Sequence, residues 1–451
     1  MRTHDRHPAP RGRTIPANDW SFASPRVTIL QINVREVIVT GCAELLTLRG
    51  AVPRRGPAMR DLGVIRDGAI FIRGDRIAAV GPRRRIESLR QTRSAEKIDL
   101  GGRVVLPGFV DSHTHLVFPE TRASEYEQRI SGKSYDEIAR AGGGILSTVK
   151  KLRRCSPDRL AARASCDLEK FAQHGTTTLE AKSGYGLDWP SEAKTLQLLH
   201  KLHEDQPLDI IPTFLGAHVV PPEYRRKPGD YVDLLVHRWI PSVATAGLAE
   251  FCDVYCDRGA FTLPQARRIL AAGRACGLVP RIHAAQFQRT GAARLAIELQ
   301  AASADHLDRV NASDVRALAA SNVVCTLLPG CGFQLGLPQR APARPLLDSG
   351  AIVALATDFN PGTSPTVSMP MILSLACNQL RMTPAEAISA ATINPAYSLR
   401  VHDRAGSIEV GKYADLAVFD VADHREIPYH FGMNLCSMTM KRGVVIHTKN
   451  S

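Results

Sequence analysis

The sequence predicts an α/β protein: a (β/α)8 barrel of the TIM type with a small composite β-sandwich domain built from both chain termini. Three features support this prediction. The stretch 107–405 alternates β-rich apolar runs with amphipathic segments about eight times, as a parallel barrel requires. The flanking stretches 26–106 and 406–451 are rich in short alternating runs. A length of 451 residues accommodates one large barrel and a smaller domain.

The N-terminal flank begins with residues 1–25, a tail rich in arginine and proline that lacks the apolar segment of a secretory signal. We expect this tail to be flexible. In 26–106 the runs "REVIVTGC" and "AIFIRGDRIAAVG" predict short strands joined by glycine-containing turns. The C-terminal flank, 406–451, has the same character in "AGSIEVGKYADLAVFD". The two ends are therefore expected to form one β-sandwich domain.

The stretch 107–405 carries β-rich runs such as "TTTLEAK", "DIIPTFLGAH" and "AIVALATDFN". Segments such as "SEAKTLQLLHKLHED" place apolar residues at helical spacing and predict the helices between the strands. Enzymes built on such barrels carry their chemistry at the C-terminal ends of the strands. Polar residues at those positions are therefore the first candidates for a site.

The composition excludes several classes of partner. The longest apolar runs are far shorter than a membrane span, so no membrane partner is expected. The net charge of +13 comes from dispersed basic residues without interleaved aromatic residues, which argues against nucleic acid as a partner. A small anionic substrate remains compatible with this charge. The ten cysteines are scattered and form no Cys-x-x-Cys, which indicates reduced thiols in a cytoplasmic protein. We expect a homodimer, the commonest homo-oligomer.

The stretch "PGFVDSHTHL" places His113 and His115 two residues apart, directly after an apolar run. Residues at this spacing in a strand point to the same face, so both imidazoles project together. Two inward imidazoles need polar partners or a metal ion. Taken alone, the pair is equally consistent with two hydrogen-bonded histidines.

Further polar residues follow the later apolar runs of the barrel. Each alone is compatible with an ordinary core or loop residue, but imidazoles and a carboxylate at successive strand ends favour one divalent cation. We expect zinc, with iron or manganese as alternatives. Asp305 precedes one of these histidines and, by strand alternation, is expected to point to the opposite face. The residues in question are His218, His283, Gln286, His306 and Asp358.

Together these motifs resemble the amidohydrolase superfamily and, within it, the imidazolonepropionase family. The similarity extends from about residue 36 to residue 447. It rests on "PGFVDSHTHLVF", "TTTLEAKSGYGLD", "PTFLGAHVVPPEY", "SADHL", "ATDFNPGTSPT" and "DHREIPYHFGMNL".

The resemblance implies a role for each site residue. The metal ligands would be His113, His115, His283 and Asp358. The substrate contacts would be Arg122, Tyr185, His218 and Gln286, with Arg122 gripping a carboxylate through its two-pronged guanidinium. The catalytic groups would be His306, which moves the proton of the metal-held water, and Asp358.

The activity implied is a metal-dependent hydrolase. A metal-bound hydroxide would open a five-membered 5-oxo-imidazole ring that carries a propionate, giving N-formimino-glutamate in histidine degradation. Ala285 and the segment "LLPGCGFQLGLPQRAP" depart from the family pattern. They keep open an alternative substrate, 3-(5-oxo-2-thioxoimidazolidin-4-yl)propionate of ergothioneine breakdown, with sulfide as the leaving group. A third possibility is a metal-free scaffold without activity.

Overall fold

The structure is a computed structural model, and it describes residues 35–449. The predicted tail, residues 1–25, lies outside the described residues, as does the stretch 26–34 at the start of the predicted β-rich segment. The fold and the site below are therefore those of 35–449.

Fifteen strands form within the described residues. In chain order they are β1 Glu36–Leu46, β2 Val64–Arg73, β3 Arg76–Pro82, β4 Glu96–Pro107, β5 Phe109–Asp111, β6 Thr176–Lys182, β7 Asp209–Ala217, β8 Phe251–Cys256, β9 Val279–Ala284, β10 Ser303–His306, β11 Val324–Leu327, β12 Ile352–Leu355, β13 Leu416–Phe419, β14 Cys436–Lys441 and β15 Val444–Thr448.

Seventeen α-helices accompany these strands in the same residues. They are α1 Arg83–Glu87, α2 Ala123–Ile130, α3 Tyr135–Arg140, α4 Ile145–Arg154, α5 Pro157–Gln173, α6 Trp189–Asp205, α7 Pro228–Leu234, α8 Ile240–Thr245, α9 Leu263–Ala275, α10 Ala292–Glu298, α11 Ala312–Ala319, α12 Pro329–Gln334, α13 Ala343–Asp348, α14 Met369–Leu380, α15 Pro384–Ala390, α16 Ile393–Ser398 and α17 Glu426–Tyr429.

A seven-stranded mixed sheet joins the two ends of the described chain in the order β15-β14-β13-β4-β1-β2-β3. The junction is the antiparallel pairing of β13 with β4, in which Leu416 lies opposite Pro107. Apolar side chains from both halves pack into one buried cluster that includes Val37, Ile70 and Met440. Burial of this shared face is what holds the two chain ends in one unit.

The eight strands β5 to β12 form a second sheet in sequential order. Each of the seven pairs of neighbouring strands in it is parallel. Strands β6, β7 and β8 are buried along their whole length. This is expected of barrel strands, because helices cover their outer side and other strands' side chains pack against their inner side. The predicted fold class, a (β/α)8 barrel with an additional β domain, is confirmed.

The backbone connects the first and last barrel strands just beyond their ends. The amide of Asp358 donates to the carbonyl of His113 at 3.0 Å, and the amide of His115 donates to the carbonyl of Phe359 at 2.8 Å. Thr114 and Phe359 form a parallel bridge at the same level. This connection brings the His-x-His pair and Asp358 together from opposite ends of the barrel segment.

The chain turns sharply where several of these strands end. Ala285, His306 and Asp358 all have positive φ, at 55°, 76° and 53°. Such a conformation is uncommon for residues other than glycine, and it interrupts the alternation of side chains between the two faces of a strand. Among the helices of 35–449, none combines the length and the apolar composition of a transmembrane span.

Candidate active site

A cavity of about 790 Å³ opens at the C-terminal ends of the barrel strands. A volume of this size lies within the range of small-molecule sites. Every predicted site residue except His113 lines it, and the fully buried His113 packs its ring against that of His283, with the centroids 4.5 Å apart. The lining residues predicted from sequence are His115, Arg122, Tyr185, His218, His283, Gln286, His306 and Asp358.

The His-x-His pair converges on one carboxylate oxygen. The Nε2 atoms of His113 and His115 each lie 3.6 Å from Oδ1 of Asp358. On the other side of its ring, Nδ1 of His113 lies 2.7 Å from Oδ2 of Asp305. That contact assigns the proton of His113 to Nδ1 and directs the lone pair of Nε2 toward Asp358.

His283 is oriented in the same way by Asp253. Nδ1 of His283 lies 3.2 Å from the Asp253 carboxylate, whose Oδ2 is 2.9 Å from the ammonium of Lys182. Lys182 also pairs with Glu180 at 2.7 Å, and these charged side chains of β6 and β8 are fully buried. Burial alone would raise the pKa of Asp253, but His283 and Lys182 lower it, so the carboxylate stays ionised.

Several ring nitrogens at this site are buried without a hydrogen-bond partner in the described residues. They are Nε2 of His113, Nδ1 of His115, Nε2 of His283 and Nδ1 of His306. Leaving such atoms unpaired costs free energy, on the order of 1–3 kcal/mol each. A group that accepts their lone pairs would remove that cost.

The donor atoms form two overlapping groups that fit a divalent cation. One consists of His113, His283 and His306, and the other of His113, His115 and Asp358; within each group the ligand atoms lie within 4.8 Å of one another. Imidazole nitrogens with one carboxylate are a donor set typical of zinc and similar ions. Because His306 belongs to the first group, its predicted role in proton transfer rather than in ligation remains a prediction.

Burial controls the protonation of these groups. It lowers the pKa values of His113, His115 and His306 well below the ordinary value for histidine, so the rings are neutral and can donate lone pairs. Burial also raises the pKa of Asp358 to about 7, although His283 and Asn360 act in the opposite direction.

The expectation for Asp305 requires correction. Strand alternation predicted that Asp305 points away from the face of His306, yet its carboxylate contacts His113 inside the site. The reason is the positive φ of His306, 76°, which redirects that side chain at the last position of β10. Both residues therefore contribute to the same cluster.

Arg122 lies in the cavity wall, 8% exposed, at the start of α2. Its Nε donates to Oε2 of Glu125 at 2.8 Å, which fixes the plane of the guanidinium. Gly362 packs against the same guanidinium so closely that a Cβ there would lie 2.3 Å from Nη1. Any larger residue at position 362 would therefore have to displace the guanidinium that Glu125 holds.

Tyr185 lies in the loop after β6, which is held in place by a buried carboxylate of α6. Glu192 accepts backbone hydrogen bonds from Gly184 at 3.0 Å, and from Gly186 and Leu187 at 2.8 Å. The carbonyl of Gly184 in turn accepts a hydrogen bond from Nδ1 of His218 at 3.0 Å. The Glu192 side chain thus positions the loop that carries Tyr185, and this loop contacts His218 through the carbonyl of Gly184.

His218 stacks on His115 with the ring centroids 5.1 Å apart and the planes 16° from parallel. Burial and the neighbouring His283 lower the pKa of His218 to about 3, so its ring is neutral. Since its Nδ1 proton is donated to Gly184, the opposite edge of the ring is available to the cavity that it lines.

Gln286 lines the cavity with its amide already engaged. Its Oε1 accepts from the hydroxyl of Tyr255 at 2.9 Å, and its Nε2 donates to Sγ of Cys331 at 3.2 Å. Sequence reasoning missed Tyr255, although it occupies the position of β8 that pairs with His283 of β9. Applying the strand-end rule to "EFCDVYCD" could have identified it.

Sequence reasoning also missed the buried charges that surround the candidate ligands. Glu180 and Lys182 in "TTTLEAK", Asp253 in "FCDVYCD" and Asp305 in "SADHL" are charged residues within apolar strands. A charge in such a run is rarely buried unless it is paired, and this was the available signal.

Sequence comparisons show which known proteins the chain is similar to. The amidohydrolase family model matches residues 257–446. The imidazolonepropionase of Geobacillus kaustophilus (strain HTA426) is 46% identical over 420 residues, covering 92% of this chain and 98% of that protein. The imidazolonepropionase of Solibacter usitatus (strain Ellin6076) is 49% identical over 412 residues, covering 91% and 98%.

Solved structures share the fold at low sequence identity. An adenosine deaminase from Xanthomonas campestris with bound zinc has a TM-score of 0.65 at 16% identity, covering 91% of this chain and 92% of that one. A triazine hydrolase from Arthobacter aurescens has a TM-score of 0.67 at 17% identity, covering 91% and 94%. Likeness at this level of identity shows a common barrel architecture.

Proposed function

The chain belongs to the imidazolonepropionase family, a branch of the amidohydrolases, and from that premise we propose that it opens a 5-oxo-imidazole ring carrying a propionate. The product would be N-formimino-glutamate, as in histidine degradation. The observation that carries the proposal is the set of buried imidazole nitrogens near Asp358 that have no hydrogen-bond partner among the described residues, beside a cavity that Arg122 also lines.

We propose that His113, His115, His283 and Asp358 hold a divalent cation, with zinc first and iron or manganese as alternatives. When bound, such a cation lowers the pKa of water and polarises a carbonyl oxygen. The carboxylate of Asp305, by accepting the Nδ1 proton of His113, fixes the ring so that Nε2 faces the site.

His306 is proposed to move the proton. Hydrolysis adds water to the ring carbonyl carbon, breaks the bond from that carbon to the ring nitrogen, and requires a proton to pass from the water to that nitrogen. The ring of His306 is neutral because burial lowers its pKa, and its Nδ1 has no hydrogen-bond partner among the described residues. It can therefore accept the proton of the attacking water and return it to the leaving nitrogen.

Arg122 is proposed to bind the propionate. Its side chain is almost fully buried, and Glu125 fixes the plane of its guanidinium. A charge-assisted hydrogen bond in such a dry setting is stronger than one in water. Tyr185, on the loop that Glu192 positions, and His218, which hydrogen-bonds that loop, would contact the ring of the substrate.

The experiment that tests this proposal is a turnover assay of the purified, metal-loaded protein. We expect imidazolonepropionate to disappear and N-formimino-glutamate to form. The variant Asp358→Asn should abolish turnover, whereas His430→Ala, at a half-exposed histidine outside the cavity, should keep it. A metal-loaded, folded protein that leaves imidazolonepropionate unchanged would contradict the proposal.

The 2-thioxo analogue belongs in the same assay as a second substrate. Ala285 is buried at the end of β9 and supplies no acid there, and release of sulfide needs less help from an acid than release of an amidine nitrogen. Release of sulfide without ring opening of imidazolonepropionate would assign the chain to the analogue. Turnover of neither substrate would favour a scaffold without activity.

A further inference from the structure

A third group of potential ligand atoms includes a thiol, and two of its three residues, His306 and Asp358, line the cavity. His306, Cys331 and Asp358 bring one nitrogen, one sulfur and one oxygen within 4.8 Å of one another. All three residues are at least 97% buried, since their exposures are 3%, 2% and 3%. Cys331 lies in α12, directly after barrel strand β11.

We propose that His306, Cys331 and Asp358 form a second cation site, specific for a thiophilic divalent ion such as Zn²⁺ or Cd²⁺, whose occupation inhibits the enzyme. The inhibition rests on the proposed function, because it assumes that His306 moves a proton. The site itself does not depend on that assumption.

The first support is the unpartnered nitrogen of His306. Its Nδ1 is buried and has no hydrogen-bond partner in residues 35–449, although the ring lines the cavity. Asp358 also lines the cavity, so two of the three ligands can be reached from its open volume. A cation that enters the cavity therefore meets two ligand atoms that lie within 4.8 Å of the sulfur of Cys331.

The second support is the set of hydrogen bonds around the sulfur. Nε2 of Gln286 donates to Sγ of Cys331 at 3.2 Å, and the side chain of Thr363 also hydrogen-bonds the sulfur. These two contacts hold the sulfur in place beside Asp358. Burial and the carboxylate of Asp358 raise the pKa of Cys331 well above its ordinary value, so a bound cation has to displace the thiol proton.

The third support is the contact between the thiol and Asp358. The Cys331 side chain hydrogen-bonds the Asp358 carboxylate, so a proton lies between two potential ligand atoms. Binding would break the S–H bond, release that proton to water and form an S–metal bond in its place. The cation would thus replace the shared proton.

This position differs from the catalytic one in its ligands. Cys331 shares a group with neither His113, His115 nor His283, whereas His306 and Asp358 each also belong to one group of the first site. Sulfur favours zinc and cadmium over manganese and magnesium. A cation here would occupy the nitrogen of His306 that the proposed proton transfer requires.

The test is a titration of the metal-free, full-length protein with Co²⁺ and Cd²⁺. Two quantities are measured at each step: the amount of bound metal and the near-ultraviolet thiolate-to-metal absorption. The wild type should bind a first equivalent without the thiolate band and a second equivalent with it. Cys331→Ser and Cys331→Ala should each lose the band and weaken the second equivalent at least tenfold. Cys377→Ser, at a half-buried thiol outside the cavity, is the matched control and should behave as wild type.

The outcomes separate this site from the catalytic proposal. A thiolate band that accompanies the first equivalent, or a wild type that binds a single equivalent, would overturn the second site even if turnover is normal. If turnover fails but the second equivalent and its band depend on Cys331, the site stands and the proposed function fails. The activity of each protein in excess Zn²⁺ is divided by its own activity without excess metal. This ratio should fall at least tenfold more for the wild type than for Cys331→Ser.

Discussion

At the scale of single residues, the site depends on which nitrogen of each histidine carries the proton. Asp305 and Asp253 accept hydrogen bonds from Nδ1 of His113 and His283, so that Nε2 of each ring is left to face Asp358 or the cavity. Such carboxylate contacts fix both the tautomer and the ring orientation of a metal ligand. The orientation of these two rings is therefore set by side chains of the protein itself.

Arg122 is predicted to set the affinity for the substrate carboxylate. Arg122→Lys keeps the charge but loses the planar fork that pairs with a carboxylate at two points. KM should rise by roughly tenfold or more while metal content stays constant. Arg226→Lys, at an exposed arginine outside the cavity, serves as the control, and an unchanged KM in Arg122→Lys would exclude Arg122 from the substrate site.

His306 is predicted to transfer a proton, a role that its variant can separate from ligation. His306→Ala should lower kcat by roughly a hundredfold or more, the size expected for loss of a general acid–base group, while one equivalent of metal remains bound. Metal content is measured on the same sample. Loss of that metal would show that His306 is a ligand, and a near-normal kcat would show that it does neither.

At the scale of elements, the strand ends explain what the sequence could and could not predict. Alternating strands and helices predicted the barrel, and the strand-end rule predicted His218, His283 and His306 because it needs only the order of elements. Contacts such as Asp305 with His113 join β10 to the end of β5, across the barrel. These contacts depend on closure of the barrel and on the positive φ of His306. Neither can be predicted from a local sequence pattern.

The loop after β6 shows the same limit. The carboxylate that holds this loop, Glu192, comes from the following helix, and in the sequence it looks like an ordinary residue of α6. The contacts of Glu192 with the loop backbone could be identified only from the folded structure. Tyr185, by contrast, could be named from the motif that carries it.

Glu192→Gln is predicted to loosen this loop. The amide retains one acceptor oxygen where the carboxylate accepts from Gly184, Gly186 and Leu187. KM should rise roughly tenfold, equivalent to about 1.4 kcal/mol of binding free energy, with metal content unchanged. Glu204→Gln, at an exposed acid of the same helix, is the control; equal KM values in the two variants would contradict the positioning role.

At the scale of the whole molecule, a buried ion cluster links the seven-stranded sheet to the barrel. Lys441 of β14 is 3% exposed, and its ammonium lies 2.8 Å from Asp209 at the start of β7 and 2.6 Å from Asp415. Such a cluster fixes the relative position of two layers, because removing the ammonium leaves Asp415 buried without that ion pair and leaves Asp209 paired with Arg442 alone. The homodimer expected from the sequence remains a prediction.

Lys441→Met is predicted to destabilise the fold while sparing the site. Loss of the ammonium leaves Asp209 and Asp415 without that partner, which should lower the free energy of unfolding by about 3–5 kcal/mol. Urea unfolding measures this change, and Lys97→Met, at a largely exposed lysine of the same sheet, is the control. Equal stabilities of the two variants would contradict a structural role for the cluster.

The central claim is that one divalent cation, held by the histidines and Asp358 at the strand ends, is required for ring opening. The most direct test adds zinc in substoichiometric steps to metal-free wild type and to His113→Ala, and measures bound metal and imidazolonepropionate turnover in each sample. We predict that turnover by the wild type rises in proportion to bound metal up to one equivalent, and that His113→Ala neither retains the metal nor turns over substrate. Turnover that is independent of bound metal, or a His113→Ala variant with normal metal content and activity, would contradict the account.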